Sequence, residues 1–463
     1  MLKSALVHQP YIGRKRRKKC DETHPQCSAC IRNSLDCKWP SEDNQPPDGR
    51  SRHSRGTKAI MRTVASSGVS LMQLPPLIMM PAPFSSSECT YLYRYFASTI
   101  LPRFVQRNSV DKTHMLRLAP QFSPLFGAMV AVAGMQLPTK DRWPAHLALQ
   151  SYLHAIHAIQ MSLTDITKAG CDDRILATVS LLACFESCRS DAIPTVTPHV
   201  QAAGLLLTQR RPCEYRTKAA ATFDRICVES FLYQACLMMI FDPSLDALPE
   251  DRKQLGLPLY FDKPTSPASA SEQTILQASY KFFLLIADVT KLSRLSRPLD
   301  SAEVTKWRSL DCELSRWSHL ICSADMSLAL CYLALQILLQ KVNPNITSSQ
   351  RVQRVQSCLA GGLHRVPALE IDIYPPIYLL WPVAILGAVA VRLEEREVVR
   401  DVIASISAAK LGGHAAWVQK RLDRIWTAVS PAPEEPQVSL IGLQILLDQG
   451  CFQPQKLSMR TRP

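Results

Sequence analysis

The sequence predicts a mostly α-helical protein with a small N-terminal cysteine-rich module, a flexible linker and a large all-α domain. Four cysteines and a run of cations are concentrated in residues 1–40, and prolines, serines and arginines are frequent in residues 41–86. Apolar residues then recur at helical spacing over residues 87–450, before a short tail at 451–463. Alternating strand patterns are scarce, and no repeat of about 20–50 residues is visible.

The N-terminal module contains cysteines at a spacing that suits a metal ion. They follow the pattern C-x6-C-x2-C-x6-C, and they are Cys20, Cys27, Cys30 and Cys37. Zinc binds four ligands tetrahedrally, and thiolates separated by short loops can supply all of them. Because so short and polar a segment cannot assemble a hydrophobic core, we expect zinc to stabilise its fold. The other twelve cysteines are scattered through apolar segments, as is typical of buried thiols in a reducing compartment.

Positive charge is concentrated in the same part of the chain. Residues 1–62 contain 14 Lys/Arg and 6 Asp/Glu, so they hold +8 of the net charge of +14. This asymmetry indicates a polyanionic partner. Six cations are consecutive: Arg14, Lys15, Arg16, Arg17, Lys18 and Lys19. Such a run is also typical of a nuclear localisation signal, and both roles can coexist.

The segment from Gly13 to Pro40 resembles the fungal binuclear zinc-cluster DNA-binding domain. The similarity rests on KKCD at 18–21, on Pro25, on the central C-x2-C and on CKWP at 37–40. In that family six cysteines hold two zinc ions, and the four cysteines here match the third to sixth ligands. The resemblance implies zinc as the cofactor and double-stranded DNA as the partner.

The resemblance also gives the basic run a role. It would form the short helix between the second and third ligands, whose side chains face the major groove in the family. Arginine or lysine can donate to guanine O6 and N7 there, while the other cations contact phosphates. The family typically reads CGG half-sites with a lysine at the position of Arg17, and arginine can also contact guanine with two hydrogen bonds.

The first two ligands of the family pattern are missing. They should lie at positions 10 and 13, where Pro10 and Gly13 have no ligating side chain. One explanation, which we favour, is that an upstream exon encodes the missing C-x2-C in place of the first twelve or so residues. The other is that the protein has lost half of its cluster. His8 and His24 are poor substitutes, because their spacing does not fit the family.

Residues 41–86 read as a disordered linker, because prolines are frequent and neither a helix nor a strand period is present. Many members of the family dimerise through heptads directly after the cluster, and this linker is too rich in proline for a coiled coil. A homodimer would therefore have to form through the helical domain, and a monomer is equally compatible with the sequence.

Several helices of the large domain are predicted from local signals. Ser85-Ser-Ser-Glu88 and Thr347-Ser-Ser-Gln350 read as capping boxes at helix starts, and Gly361-Gly362 reads as the end of the second helix. The expected apolar faces of these two helices consist of Tyr91, Leu92, Tyr95, Phe96 and Ile100, and of Val352, Val355 and Leu359. Ala324–Gln340 is apolar on nearly all sides, which predicts a central buried helix. Further helical stretches are expected over 143–165, 173–190, 222–241, 271–295 and 383–408.

The most apolar segment, Ile377–Val391, is 15 residues long and contains Pro382. About 20 residues are needed to cross a bilayer, so we expect a buried core helix and no membrane segment. Residues from about 85 to 450 resemble, more loosely, the fungal-specific regulatory domain, through HVQAAGLLL at 199–207 and WPVAILG at 381–387. This resemblance implies a regulatory role, with the transcription machinery or co-regulators as partners.

Catalytic constellations are not evident in the sequence. His154 and His157 lack a third ligand, and Cys184 and Cys188 read as packed thiols. Phosphate loops, dinucleotide fingerprints and nucleophile elbows are missing. The preferred interpretation is a nuclear, sequence-specific, zinc-dependent transcription regulator, controlling a metabolic or biosynthetic gene set through CGG-type sites. The alternative is a regulator with a defective cluster that acts through protein partners. An α-helical enzyme or ligand-binding protein whose basic terminus is only an import signal is the least favoured.

Overall fold

The computed structural model describes residues 84, 86–104, 113–138, 141–163, 166–189, 196–210, 217–246, 257, 279–296, 298–322, 325–369, 371, 376–408, 412–429, 438 and 440–448. All of them belong to the larger of the two units into which the chain divides, Leu71–Pro463. Their architecture is helical, and a single isolated bridge, Ala390 with Val438, is the only β pairing within this described part.

The described residues lie mainly in α-helices. In chain order they are α1 (Ser87–Tyr95), α2 (Leu101–Phe104), α3 (Thr113–Leu118), α4 (Ser123–Gln136), α5 (Trp143–Ser162), α6 (Ile166–Cys171), α7 (Asp173–Cys188), α8 (Val196–Gln209), α9 (Lys218–Met238), α10 (Tyr280–Ser293), α11 (Ser301–Ser315), α12 (Met326–Lys341), α13 (Ser348–Arg365), α14 (Pro376–Val389), α15 (Leu393–Ala408), α16 (Gly412–Ala428) and α17 (Leu440–Leu447). A π-helical turn at Phe96–Ile100 connects α1 to α2, and 3-10 turns lie at Ala119–Gln121, Ser318–Cys322 and Val366–Ala368.

Three helices form the centre of the fold, because their side chains are buried on nearly all sides. They are α4, α12 and the part of α14 from Leu379 onward. The more amphipathic helices, such as α13 and α15, pack one apolar face against this centre and expose the other. The predictions of a central buried helix at 324–340 and of a core helix at 377–391 are thus confirmed for the residues that the structure describes.

One predicted capping box is confirmed and the other is wrong by one residue. At the start of α13, Thr347 Oγ1 accepts the Gln350 N–H at 3.3 Å, and the Gln350 side chain accepts the Thr347 N–H at 3.0 Å. At the start of α1 the cap is Ser86, whose hydroxyl accepts the Cys89 N–H at 3.2 Å. Ser86 has the extended backbone of an N-cap, so Glu88 lies too early to complete a box.

The predicted end of α13 at Gly361-Gly362 is also wrong, because the helix continues to Arg365. Gly362 serves helix packing instead of termination. A Cβ atom at this position would lie 2.8 Å from the Cδ2 atom of Leu386 on α14, so the absence of a side chain lets the two helices approach.

The predicted stretch 383–408 consists of two helices rather than one. Helix α14 ends at Val389 and α15 begins at Leu393. The Glu395 carboxylate accepts the N–H groups of Val391 and Arg392, each at 3.2 Å, which compensates for the interrupted helical hydrogen bonds. This compensation comes from a side chain, so helical periodicity does not reveal the break.

The remaining expected stretches correspond to α5, α7, α9 and α10, with ends that differ by a few residues, apart from residues 271–278, which lie outside the described part. No single helix in the described ranges is long and apolar enough to cross a membrane. The sharply bent pair His114–Gln121 and Ser123–Gln136 satisfies the length and composition criteria only when the two segments are taken together.

Candidate functional site

The predicted zinc ligands and the predicted DNA-contacting residues all lie outside the residues that the structure describes. They are Cys20, Cys27, Cys30, Cys37, Arg14, Lys15, Arg16, Arg17, Lys18 and Lys19. Their assignment therefore stays a prediction from the sequence. The number of thiolates nevertheless limits how much zinc they can bind. Four thiolates complete the tetrahedral shell of one zinc ion, and they cannot supply the six ligands of a binuclear cluster.

Within the described ranges, no group of three or more histidine, cysteine or acidic side chains could hold a metal ion. His154 is half-buried, with its Nε2 atom 3.0 Å from the Ser123 hydroxyl and its ring edge-on to Phe84. His157, one turn further along α5, is exposed.

Cys184 and Cys188 are packed thiols. The amide of Gln234 donates to the Cys184 sulfur at 3.6 Å, and the amide of Gln136 donates to the Cys188 sulfur at 3.3 Å. Burial raises the pKa of Cys184 to about 12 and that of Cys188 to about 11. Thiols protonated so strongly are poor nucleophiles at neutral pH, which argues against a redox pair here.

The most extensive buried ion cluster is centred on Arg210, directly after α8. Its guanidinium donates to Asp224 on α9 at 2.6 and 2.9 Å, to the Gly170 carbonyl on α6 at 3.0 Å, and to Asp173 on α7. His114 on α3 contacts the other oxygen of Asp173 at 2.8 Å. Burial lowers the pKa of Arg210, but Asp224 and Asp173 more than offset it, so the net shift is upward. The cluster joins four helices to the end of α8.

A second cluster holds the turn after α9. Arg294, at the end of α10, pairs with Asp246 at 2.7 Å and donates to the Met239 carbonyl. Thr197 at the start of α8 donates to Asp242 in the same turn. Burial lowers the pKa of Arg294, and Asp246 opposes this shift. The turn thereby links α8, α9 and α10.

The opposite side of this turn contacts α16. Arg421 donates to the Phe241 carbonyl at 3.2 Å and to the Leu446 carbonyl at 3.4 Å, and its guanidinium lies 4.9 Å from the Trp417 ring centre. His414 is buried and its ring contacts those of Phe241 and Trp417, and neither of its ring nitrogens has a hydrogen-bond partner. Burial lowers the pKa of His414 to about 4. Arg421 thus joins the turn after α9 to the last turn of α17, so we interpret this cluster as structural.

These buried clusters were not identified from the sequence. Arg210, Arg294 and Arg421 lie within or directly after helices, and their acidic or carbonyl partners are 14 or more residues away in the chain. Arg210 and Arg294 directly follow helix ends, where a basic residue is common, but this position does not identify the partner.

Comparison with known families identifies a family for the helical domain and one for the N-terminal module. The model of the fungal specific transcription factor domain matches residues 84–430, which include all the described helices from α1 to α16. The chain belongs to this family. The fungal Zn(2)-Cys(6) binuclear cluster domain matches residues 14–46, which contain the four predicted ligands and the basic run. Searches of curated proteins and of solved structures produced no match.

As a member of this family with a zinc-cluster module, the protein is a zinc-binding, DNA-binding transcription regulator. Both matched families are transcription factor domains rather than enzyme families. Helix α17 lies beyond the family match but belongs to the same helical core, because Leu443, Leu446 and Leu447 are buried. The loose resemblance to the regulatory domain is thus confirmed, and the helical unit extends past residue 430.

Proposed function

We propose that the protein is a nuclear, sequence-specific regulator that binds CGG-type sites through its zinc-dependent N-terminal module and controls a metabolic or biosynthetic gene set. The observation that carries this proposal is the order of the two family matches: a zinc cluster at 14–46 precedes the regulatory domain at 84–430. The proposed division of the chain is 1–40, 41–86, 87–450 and 451–463, and the two matches support its order of a cysteine-rich module before a helical domain. The role in metabolic gene control follows from the family resemblance alone.

The module would hold zinc through Cys20, Cys27, Cys30 and Cys37. Bound zinc supplies the folding energy that a short polar segment lacks. The basic run from Arg14 to Lys19 would then face the major groove, with Arg17 on guanine and neighbouring cations on phosphates. The same run supports nuclear import.

The decisive experiment measures binding of the full-length chain to fluorescent duplexes with and without CGG triplets, by fluorescence anisotropy. We expect zinc chelation or Cys27→Ala to abolish the preference for CGG. Cys171→Ala is the matched control, because Cys171 is an exposed cysteine of the helical domain and should leave DNA binding unchanged. A preference for CGG that survives both chelation and Cys27→Ala would contradict the proposal.

The second candidate is a regulator that no longer binds DNA directly and acts through co-regulators or the transcription machinery. Pro10 and Gly13 favour it, because they occupy the positions of the first two ligands. Native mass spectrometry of the full chain distinguishes the candidates. A stable complex with at least one zinc ion and a CGG preference supports direct DNA binding, whereas less than one zinc per chain and no preference supports the partner-dependent regulator.

A further inference from the structure

An aromatic ring from the chain before α1 packs between α4 and α5. Phe84 is buried, and the centre of its ring lies 5.3 Å from that of His154 on α5 and 5.5 Å from that of Phe126 on α4. A Cβ atom at Gly127 on α4 would lie 2.9 Å from the Phe84 Cζ atom, so the absence of a side chain there makes room for the ring. The chain that precedes the helices is therefore anchored to the helical domain at Phe84.

This anchor lies at the edge of an exposed strip on α5. Leu149 and Leu153, one turn apart, are 38% and 58% exposed, and Gln150 and His157, about one turn before and after His154, are also exposed. Helix α5 contains no aspartate, glutamate, lysine or arginine. A surface helix normally carries such residues on its exposed side, as α13 and α15 do. The strip is therefore uncharged and partly apolar, although it faces solvent.

The chain directly before Phe84 has the same character as the strip. Residues 71–83, here called the apolar segment, consist of seven large hydrophobic residues, four prolines, one glutamine and one alanine. The sequence between Arg62 and Glu88 contains no charged residue. Such a composition is unlike that of a solvated linker, which is polar or charged. The compact unit that contains the helices begins at Leu71, the first residue of the apolar segment.

We propose that the apolar segment docks onto the exposed strip of α5 in the same chain. The two surfaces match, because both present apolar side chains and neither would bury a charge. Phe84 holds the end of the segment beside the strip, so docking is intramolecular and avoids the entropy cost of association between two molecules. This covalent attachment favours the segment over a second copy of the chain or a separate protein.

The apolar segment is long enough to cover the strip. Its 13 residues would span about 40 Å in a polyproline II conformation, whereas Trp143 and Leu153 are about 15 Å apart along α5. The four prolines favour this extended conformation, in which the backbone polar groups stay in water and need no partner strand. The apolar side chains can then pack on the helix while the backbone remains solvated.

Docking would shorten the linker in front of the helical domain. Residues 41–70, which contain all the charged residues of the predicted linker at 41–86, would then separate the cysteine-rich module from the domain. The inference concerns contacts within the helical unit and is tested without DNA. It can therefore fail or succeed independently of the proposed CGG preference.

Methionine oxidation in the full-length chain tests the docking. Met79 and Met80 lie in the apolar segment, and Met61 lies before it in the linker, in a separate tryptic peptide because Arg62 follows it. Each oxidation rate in dilute hydrogen peroxide is divided by the rate of the same residue in the urea-unfolded chain. We expect Met79 and Met80 to be oxidised at least about threefold more slowly than Met61, at both low and high micromolar concentrations of protein.

A charge on either surface should remove this protection. Leu153→Glu places a carboxylate in the strip and Ile78→Asp places one in the apolar segment, so each variant should abolish the slow oxidation of Met79 and Met80. Leu393→Glu, at a 61% exposed position on α15, is the matched control and should leave the oxidation slow. Circular dichroism establishes that each variant keeps its helices.

Three results would overturn the proposal. In the first, Met79 and Met80 are oxidised as fast as Met61 in the wild type. In the second, they stay slow in Leu153→Glu or in Ile78→Asp, which would place the segment elsewhere on the protein. In the third, their protection is present only at the high protein concentration, which would identify a second copy of the chain as the partner.

Discussion

At the scale of single residues, the helical domain depends on how buried polar groups are satisfied. Arg210 is buried with two carboxylates and a carbonyl around it, whereas His414 is buried with no hydrogen-bond partner on either ring nitrogen. A buried ion is tolerated only when partners replace water, and a buried imidazole without them stays neutral. The two residues therefore predict different responses to mutation and to pH.

Removing the Arg210 charge should be strongly destabilising. In Arg210→Met, Asp224 and Asp173 lose the cation that they share in the interior, so we expect a loss of about 3–5 kcal/mol in the free energy of unfolding. The matched control is Arg174→Met, because Arg174 pairs with Asp172 in a partly exposed position and should cost less than about 1 kcal/mol. Urea unfolding followed by circular dichroism measures both, and equal losses for the two variants would refute the distinction.

Acidification should destabilise the domain through His414. Its pKa is near 6.5 in the unfolded chain and about 4 in the folded protein, so the unfolded chain binds a proton more readily. The stabilisation is complete above about pH 6.5 and is lost as the pH falls from 6.5 toward 4, by about 3 kcal/mol in total. His414→Leu should flatten this part of the stability profile, whereas His157→Leu, at an exposed position, should not. Identical profiles for wild type and His414→Leu would contradict the assignment.

At the scale of elements, the position of α17 depends on a close contact with the backbone of α14. Helix α17 packs on α14, and a Cβ atom at Gly442 would lie 2.1 Å from the backbone carbonyl oxygen of Ala388. A backbone atom cannot move aside as the end of a side chain can. The attachment of α17 thus depends on the absence of one methyl group.

Two glycine substitutions should accordingly have opposite effects. Gly442→Ala should destabilise the domain by more than about 1 kcal/mol, because α17 or α14 must move. Gly361→Ala on α13 should be neutral or stabilising by up to about 1 kcal/mol, since its Cβ atom meets nothing nearer than 3.7 Å and alanine favours the helix. Thermal unfolding compares them; a Gly442→Ala variant as stable as Gly361→Ala would show that α17 adjusts easily.

At the scale of the whole molecule, the N-terminal part and the rest of the chain differ in net charge. Of the net +14, +8 lies in residues 1–62 and the remaining +6 is spread over 401 residues. Electrostatic attraction to DNA should therefore reside in the N-terminal part, while the helical part carries buried ion clusters that serve its own fold.

This partition predicts the salt dependence of DNA binding. Replacing Arg16 or Lys18 with glutamine should reduce the slope of log K against log salt by about 1 for each phosphate that the side chain no longer neutralises, without changing the preferred sequence. Arg17→Gln should instead weaken the preference for CGG by about 1–3 kcal/mol. Arg424→Gln, at an exposed position on α16, is the control and should change neither quantity. Equal effects of Arg17→Gln and Arg16→Gln on sequence preference would contradict the assignment of Arg17 to a base.

The sequence by itself determined the cysteine spacing, the basic run, the helical class and the capping box at Thr347, because these features depend on residues close together in the chain. Only the tertiary structure decided that α13 continues past Gly362, that the stretch 383–408 breaks at Ala390–Arg392, and that Arg210 and Arg421 are buried. Each of these outcomes depends on a partner distant in sequence or on a side chain that replaces a backbone hydrogen bond. The exposure of one side of α5 also depends on the tertiary structure. An apolar helix face predicts burial, and only the packing of the neighbouring helices shows which face remains exposed.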